Sequence, residues 1–461
     1  MQKVKLLIII FIFPLLGIGC VCQDQKTPVD YVNAYIGNIS HLLVPTYPTV
    51  HLPNSMMRVY AQRLDYTGDR LNGLPLFLIG HRGGFAFNLS PYQGDTLGLK
   101  PVVAYEYDQE VVKPYYYSVL LDSLNARVKY APSHQSAVYE IDFNNHADSY
   151  LILNSKEGNL KVAGNTISGD QPIGKEDRAY IYLETEVPPV SSGILSEQRM
   201  EQKVNGGSCV VLKFPKEVRV MKIRYGISFI SSEQARRNLY REIEGYNVDS
   251  VARIGRNIWN EKLNKISVQG NDEDQKTVFY TSIYRVCERP VCISEDGYYY
   301  SGFDNDNGVP FYTDDWFWDT FRAAHPLRVI MDPAVEQDML SSYIRMAEER
   351  DNYWMPTFPV ATGDNHSMNS NHGVATFIDA YNKGLRNFNL SKAYEACKTA
   401  ITEKTLIPWS DAKAGVLDEF YLKNGYFPSL VPGEQETVVE VNSFERRQPV
   451  AVTLGTVYDE W

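Results

Sequence analysis

Between Thr313 and Leu327 the chain reads Thr-Asp-Asp-Trp-Phe-Trp-Asp-Thr-Phe-Arg-Ala-Ala-His-Pro-Leu. From Asp314 to His325 it gathers two tryptophans, three carboxylates, an arginine and a histidine. Such charges are costly to bury unless they are paired or hydrogen-bonded. A pyranose offers an apolar C–H face and a rim of hydroxyls. Tryptophan can stack on the face, while aspartate accepts from hydroxyls and arginine donates to them. Trp318, Asp319 and Arg322 are therefore candidate substrate contacts. The alternative is a loop-to-helix junction, with Asp319 paired to Arg322, Trp318 in the core and His325 as a cap.

A second polar cluster runs Thr362-Gly-Asp-Asn-His-Ser-Met-Asn-Ser-Asn-His372. His366 and His372 are six residues apart and share no helical face by simple spacing, so with Asp364 they make only a weak metal pattern. Amides and hydroxyls beside His372, just ahead of an amphipathic segment, fit a hydroxyl-binding loop or a helix cap. The oxygen-rich run Asp304-Asn-Asp-Asn307 resembles a calcium loop but lacks the spaced ligand set ending in glutamate, and reads better as a polar turn. Arg70 and His81-Arg82 could reach across to the second region or be structural. Glycoside cleavage needs a general acid plus a base or nucleophile. Asp314, Asp315, Asp319 and Glu440 are available, and spacing designates no pair among them.

The elements that must position these residues fall into two regions. From about Val29 to Ser232, short apolar or alternating runs are punctuated by turn-formers such as Asn205-Gly-Gly207. Tyr115–Leu121, Ser208–Phe214 and Val218–Gly226 are examples, and together they predict an all-β sandwich. After Ser232 the period changes. Ala235, Leu239 and Ile243, then Val251, Ile254 and Ile258, fall at helical spacing, interrupted at Tyr246-Asn247. Further helices are predicted around Tyr280–Cys287, behind the start Asp332-Pro333, from Val374 to Tyr381 before Gly384, and from Asn389. The expected organisation is a β-sandwich over 27–232, a helical linker over 233–264 and a helical toroid or bundle over 265–461.

Composition narrows the partners. The 45 basic and 56 acidic residues leave a net charge of −11 with no dense basic block, which disfavours nucleic acid. With 44% hydrophobic and 12% aromatic residues the chain can bury large cores. The 32 tyrosines suit both sugar-handling surfaces and ordinary sheets. Lys3 and Lys5, the apolar run Leu6–Phe13 and the small residues around Gly19 describe an export signal over 1–22. Gly19-Cys20 offers a lipoprotein cleavage point, although Leu16 sits one place too far back for the usual pattern. The expectation is export to the periplasm or cell surface, with lipid anchoring through Cys20 left open. Cys209, Cys287, Cys292 and Cys397 lack metal spacing, and free thiols are expected rather than a Cys287–Cys292 bridge.

Several motifs together resemble glycoside hydrolase family 92. Val29-Asp-Tyr-Val-Asn-Ala-Tyr-Ile-Gly37 resembles its opening, and Trp318-Asp-Thr-Phe-Arg322 with His325-Pro-Leu327 its central motif. Gly363-Asp364 with His372-Gly373 and Asp379-Ala-Tyr381 resembles the next. Ala451–Trp461 resembles a segment that usually reads Thr-Leu-Glu-Tyr-Ala-Tyr-Asp-Asp-Trp. The resemblance implies an N-terminal sandwich followed by the first part of an (α/α)6 barrel. It implies a calcium-dependent, inverting exo-α-mannosidase lineage acting on mannose-containing glycans, with α-1,2 linkages the expected preference. Trp318 and Asp319 would line the pocket for the terminal mannose, with Arg322 and His372 beside it.

Two departures stand out. Gly455 replaces the usual glutamate, and the segment His41–Met57 replaces a commoner Pro-Phe-Gly-Met loop. The family's acid, base and calcium ligands lie beyond the point matching Trp461. The resemblance therefore implies that this length lacks them, and calcium binding by this chain is doubtful. The rival expectations are a non-catalytic mannoside-binding protein, an inactive gene fragment, or an unrelated (α/α)6 hydrolase.

Overall fold

The computed structural model describes residues 26–39, 46–63, 68–80, 84–145, 147–196, 199–201, 206–307 and 310–461. The export segment 1–22 with Cys20, and the His81-Arg82 pair, lie outside the described residues. Alternating apolar residues in the N-terminal region build two antiparallel sheets. The nine-stranded sheet runs, in spatial order, Asn159–Ala163, Thr166–Pro172, Arg178–Thr185, Val220–Ser228, Ser136–Phe143, Ala126–Pro132, Tyr116–Leu121, Ala104–Lys113 and Arg70–Asn72. The six-stranded sheet runs Arg199–Glu201, Ser191–Ser196, Cys209–Phe214, Ser149–Asn154, Phe85–Gln93 and Leu74–Leu78.

One continuous core joins the layers, with Leu151, Leu153 and Leu212 on one side and Val128, Ile141 and Ile223 on the other. Tyrosine hydroxyls cross the gap between the sheets. Tyr139 donates to the Pro75 carbonyl at 3.0 Å, Tyr225 to that of Leu76 at 2.8 Å and Tyr105 to that of Pro91 at 2.6 Å. Each ring fills the core while its hydroxyl finds an acceptor, as a buried phenol requires. For these residues the tyrosine richness is interior packing, not sugar contact. Arg70 stays on the sandwich surface, paired with Glu106 at 2.9 Å.

The helical region carries α1 (Ser232–Glu242), α2 (Val248–Leu263), α3 (Glu273–Val286), α4 (Phe317–Thr320), α5 (Ala324–Met331) and α6 (Pro333–Glu348). After them come α7 (Gly373–Asn382), α8 (Leu390–Thr402), α9 (Val416–Asn424) and α10 (Pro449–Glu460). Local chemistry sets the starts. Ser231, Asn247, Asp272 and Asn389 each accept a backbone N–H of the first turn of α1, α2, α3 and α8. Proline opens α6 and α10, where its missing N–H costs nothing. The architecture is an all-β domain followed by helices of an (α/α) barrel. The four cysteines Cys209, Cys287, Cys292 and Cys397 are free, and burial pushes the Cys287 thiol up to about 11 and that of Cys209 to about 12. No helix among the described residues is long and apolar enough to cross a membrane.

The two regions are stitched through residues 46–59. Trp259 of α2, fully buried, donates its indole N–H to the His51 carbonyl at 2.8 Å. The Tyr284 hydroxyl donates to the Thr49 carbonyl, and the Asn54 amide to that of Pro290 at 2.8 Å. At the other end, α10 lies against the loop before α7. Asp459 accepts the Asn371 N–H at 2.6 Å, and Asn369 donates to the Ala451 carbonyl at 2.7 Å. Gly455 permits this approach, because a Cβ there would lie 1.8 Å from the Ser370 hydroxyl oxygen and 3.0 Å from the Asn369 amide.

Gly455→Ala therefore sets two effects against each other. Helix propensity alone favours alanine by roughly 0.5–1 kcal/mol, while overpacking costs roughly 1–3 kcal/mol. The clash is expected to win, lowering the melting temperature. A raised melting temperature would show that the 369–370 loop yields freely.

Candidate active site

The central acidic segment follows the strand Tyr312–Thr313, which pairs with Val291–Cys292. Asp314 has φ +63°, a left-handed conformation that aspartate tolerates better than most residues. The two successive carboxylates then diverge. Asp314 receives the Arg58 guanidinium of the sandwich region at 2.6 Å, both side chains being at most 1% exposed. Asp315 turns toward the helices. It accepts from His325 Nε2 at 2.7 Å and from the Tyr343 hydroxyl at 2.8 Å.

The other ring nitrogen of His325 lies 2.6 Å from a Glu336 oxygen, and Arg328 Nε donates to the second Glu336 oxygen at 3.0 Å. Two carboxylates at opposite nitrogens require both to donate, so the ring is an imidazolium. The 3.1 Å approach of Arg328 to Nδ1 is then a contact between two donors, not a hydrogen bond. Burial opposes all these charges. The neighbouring Glu336 carboxylate nonetheless holds the His325 pKa above its ordinary value, and the His325 charge holds Asp315 and Glu336 below theirs. His325 is thus the centre of a buried ion cluster, not a helix cap.

A cavity of about 370 Å³ opens above this cluster, between the two regions. That lies within the ~300–1,000 Å³ typical of small-ligand sites. Tyr47 and Arg58 contribute from the sandwich side, Glu288 and Arg289 from the end of α3, and Asp315 and Asp319 from the central segment. Burial opposes the Glu288 charge, but His51, Arg285, Arg289 and Arg58 surround it and pull its pKa down to about 2. A larger cavity of about 610 Å³ between α7, α8 and α10 is lined mainly by apolar side chains such as Val374, Ile378 and Tyr394. Asp379, Asn382, Lys398, Thr402, Asp459 and Glu460 also line it.

The structure separates the four residues expected to touch substrate. Asp319 lies in the wall of the 370 Å³ cavity, and Trp318, Arg322 and His372 do not. Trp318 is 40% exposed, which excludes the core role that a purely structural reading assigned it. The Arg322 guanidinium sits 5.2 Å from the Phe321 ring centre, and Phe321 in turn stacks on His372 at 4.1 Å. His372 is fixed by Asp459, whose carboxylate accepts from its Nδ1 at 2.8 Å. Of the other acidic candidates, Glu440 is exposed and Asp314 is spent on Arg58.

Sequence reasoning missed Arg58 and Glu288. A signal for Arg58 was present: a lone cation inside Met56-Met-Arg-Val-Tyr-Ala61, all buried, must find an anion. Asp364 is likewise occupied, accepting the Phe358 N–H at 2.8 Å and Arg350 at 3.1 Å. His366 bonds Lys404 and Asp411, apart from His372. Among the described residues no group of three or more His, Cys, Asp or Glu side chains is arranged to hold a metal.

The ion cluster makes a pH prediction. The depressed carboxylates contribute stability above their unfolded pKa values of about 4, lost as pH falls through the lower folded values. The raised histidine contributes below its unfolded value of about 6.5, lost as pH rises through the higher folded value. Their joint contribution is whole between about pH 4.5 and 6.5. His325→Asn should cost roughly 3–5 kcal/mol there and less toward pH 9, measured by urea unfolding across pH. A pH-independent difference would mean a neutral ring.

Two family models match the chain. The glycosyl hydrolase family 92 N-terminal domain matches residues 31–228, and the glycosyl hydrolase family 92 catalytic domain matches residues 234–461. No curated protein matches. Among solved structures, a family 92 inverting mannosidase from Bacteroides thetaiotaomicron shares 26% identity at a TM-score of 0.77, covering 88% of this chain and 59% of its own. A family 92 α-mannosidase from the same organism shares 20% identity at a TM-score of 0.80, covering 94% of this chain and 62% of its own. The same enzyme has been solved with mannoimidazole. This chain thus spans about three fifths of the length of those structures. Matched by both models over nearly all of its two regions, the chain belongs to glycosyl hydrolase family 92.

Proposed function

We propose that the chain recognises terminal α-linked mannose of glycans, as the sugar-holding part of an exported α-mannosidase-type glycoside hydrolase. The observation that carries this is the cavity between sandwich and helices with Arg58, Glu288 and Asp319 in its wall. An α-1,2 preference, an inverting course, calcium dependence of the whole enzyme, and periplasmic or cell-surface location through the 1–22 signal belong to the same proposal. Attachment through Cys20 would be its only membrane contact. The resemblance in the motifs around Trp318–Arg322 and His372 supports it, as does the relation to solved family 92 mannosidases.

Binding without turnover is favoured for the described walls by one observation. Inverting hydrolysis needs a carboxylic acid kept protonated near neutral pH. Glu288 and Asp315, two of the cavity's carboxylates, are both held ionised by neighbouring cations. Held low by those cations, both are better suited to accepting hydroxyl protons than to donating one.

Purified residues 1–461 are expected to bind methyl α-mannopyranoside with millimolar or tighter affinity, and Asp319→Ala to weaken it by about tenfold or more, the worth of a charged hydrogen bond. No mannose should be released from an α-1,2-linked mannobiose. Release that Asp319→Ala abolishes would replace the binding reading with an active enzyme. Failure to bind any mannoside would overturn both.

A further inference from the structure

Glu288 and Arg58 face the same cavity as Asp319, although Arg58 comes from the sandwich region and Glu288 from the helical one. Glu288 follows the end of α3, and Arg58 sits in the short strand Arg58–Val59. One Glu288 oxygen accepts the Thr49 hydroxyl at 2.9 Å. The other lies 3.6 Å from the nearest Arg285 nitrogen, beyond hydrogen-bond reach, and keeps lone pairs to spare. Arg58 commits one terminal nitrogen to Asp314, yet its Nε has no partner although the side chain is 1% exposed. A buried donor left unpaired is expensive, and the expense is removed when an acceptor arrives.

The charge around the cavity decides what kind of ligand this is. Arg58, Arg285 and Arg289 are matched by Asp314, Glu288 and Asp319, while the Asp315–His325–Glu336–Arg328 cluster is balanced within itself. An anionic ligand would find no surplus of positive charge. A neutral polyol is different, because each hydroxyl can donate to a carboxylate and accept from a guanidinium at once.

We propose that Glu288 and Arg58 are specificity-determining residues for a neutral pyranose, Glu288 accepting from one ring hydroxyl and Arg58 donating to a neighbouring one. This rests on the reading of the cavity as a sugar site and adds to it which side chains, besides Asp319, tell one hydroxyl pattern from another.

The test is calorimetric titration of residues 1–461 with methyl α-mannopyranoside and its 2-, 3-, 4- and 6-deoxy analogues. It is run on the wild-type chain, Asp319→Ala, Glu288→Gln and Arg58→Lys, the last keeping the ion pair with Asp314 but removing the Nε–H. Each of the latter two should weaken the parent sugar by about tenfold. Each should also leave unchanged the affinity for one deoxy analogue, the one lacking its partner hydroxyl. Should Glu288→Gln lose cooperative unfolding, Glu288→Asp, which keeps the charge but retracts it, replaces it with the same expectation. Binding that disappears in Asp319→Ala but is unaltered in the other variants, or that falls equally for every analogue, would overturn this inference and leave the sugar-site reading intact. No binding by the wild-type chain would overturn both.

Discussion

Two adjacent buried carboxylates must not face each other, and much of the structure follows from how Asp314 and Asp315 avoid it. Like charges on neighbouring residues in a dry interior would force one to protonate. The left-handed backbone at Asp314 sends the pair in opposite directions. Asp314 meets Arg58 from the sandwich region, and Asp315 meets His325 and Tyr343 from the helices. Each charge is thereby neutralised by a different region. Breaking either pair would strand a charge where water cannot reach it, so both regions are committed to one relative position.

That commitment creates the cavity and limits what it can do. The cations that neutralise Asp314, Asp315 and Glu288 are the same ones that keep Glu288 and Asp315 ionised. A wall built this way is good at accepting hydroxyl protons and poor at donating one to a leaving group. Recognition and proton donation make opposite demands on a carboxylate: the first wants a stabilised anion, the second an anion made costly by burial. Glu295 meets the second demand, its pKa pushed up to about 7 by burial, yet it is occupied with the Phe229 N–H and the Asn238 amide and is not part of the cavity lining.

The sequence made the two-region architecture readable because periodicity is a local signal. Pro333 opened its helix as expected, and Met339, Tyr343 and Met346 are fully buried on its inner face. The linker helix α2 shows where the signal fails. Ile254 is 56% exposed, and the face that packs carries Val248, Ala252, Gly255 and Trp259. A Cβ on Gly255 would come within 2.9 Å of Tyr115, so close approach to the sandwich, not side-chain hydrophobicity, chose the face. The central motif was legible as chemistry, and Asp319 does reach a cavity. Arg58 and Glu288 were not assigned, because their roles come from partners that sequence spacing cannot bring together. Asp314 is 256 positions from Arg58, and Thr49 is 239 from Glu288.

The position of Asp319 is the least local feature of all. It rides on α4, only four residues long, far too short to be stable by itself. Its entry is fixed by Asp315, which accepts both the Trp316 N–H at 2.7 Å and the Thr320 hydroxyl at 3.0 Å. Its buried side is Phe317, set edge-on against Tyr343 at 4.7 Å, itself bonded to Asp315. Its exit is Phe321, stacked on His372, which Asp459 of α10 holds in place. A cavity-lining aspartate is thus held by an ion cluster at one end of α4 and by an aromatic stack at the other. Of the other motif residues, Arg322 lies against Phe321 and His372 is the ring that Phe321 stacks on, so both belong to the support of α4.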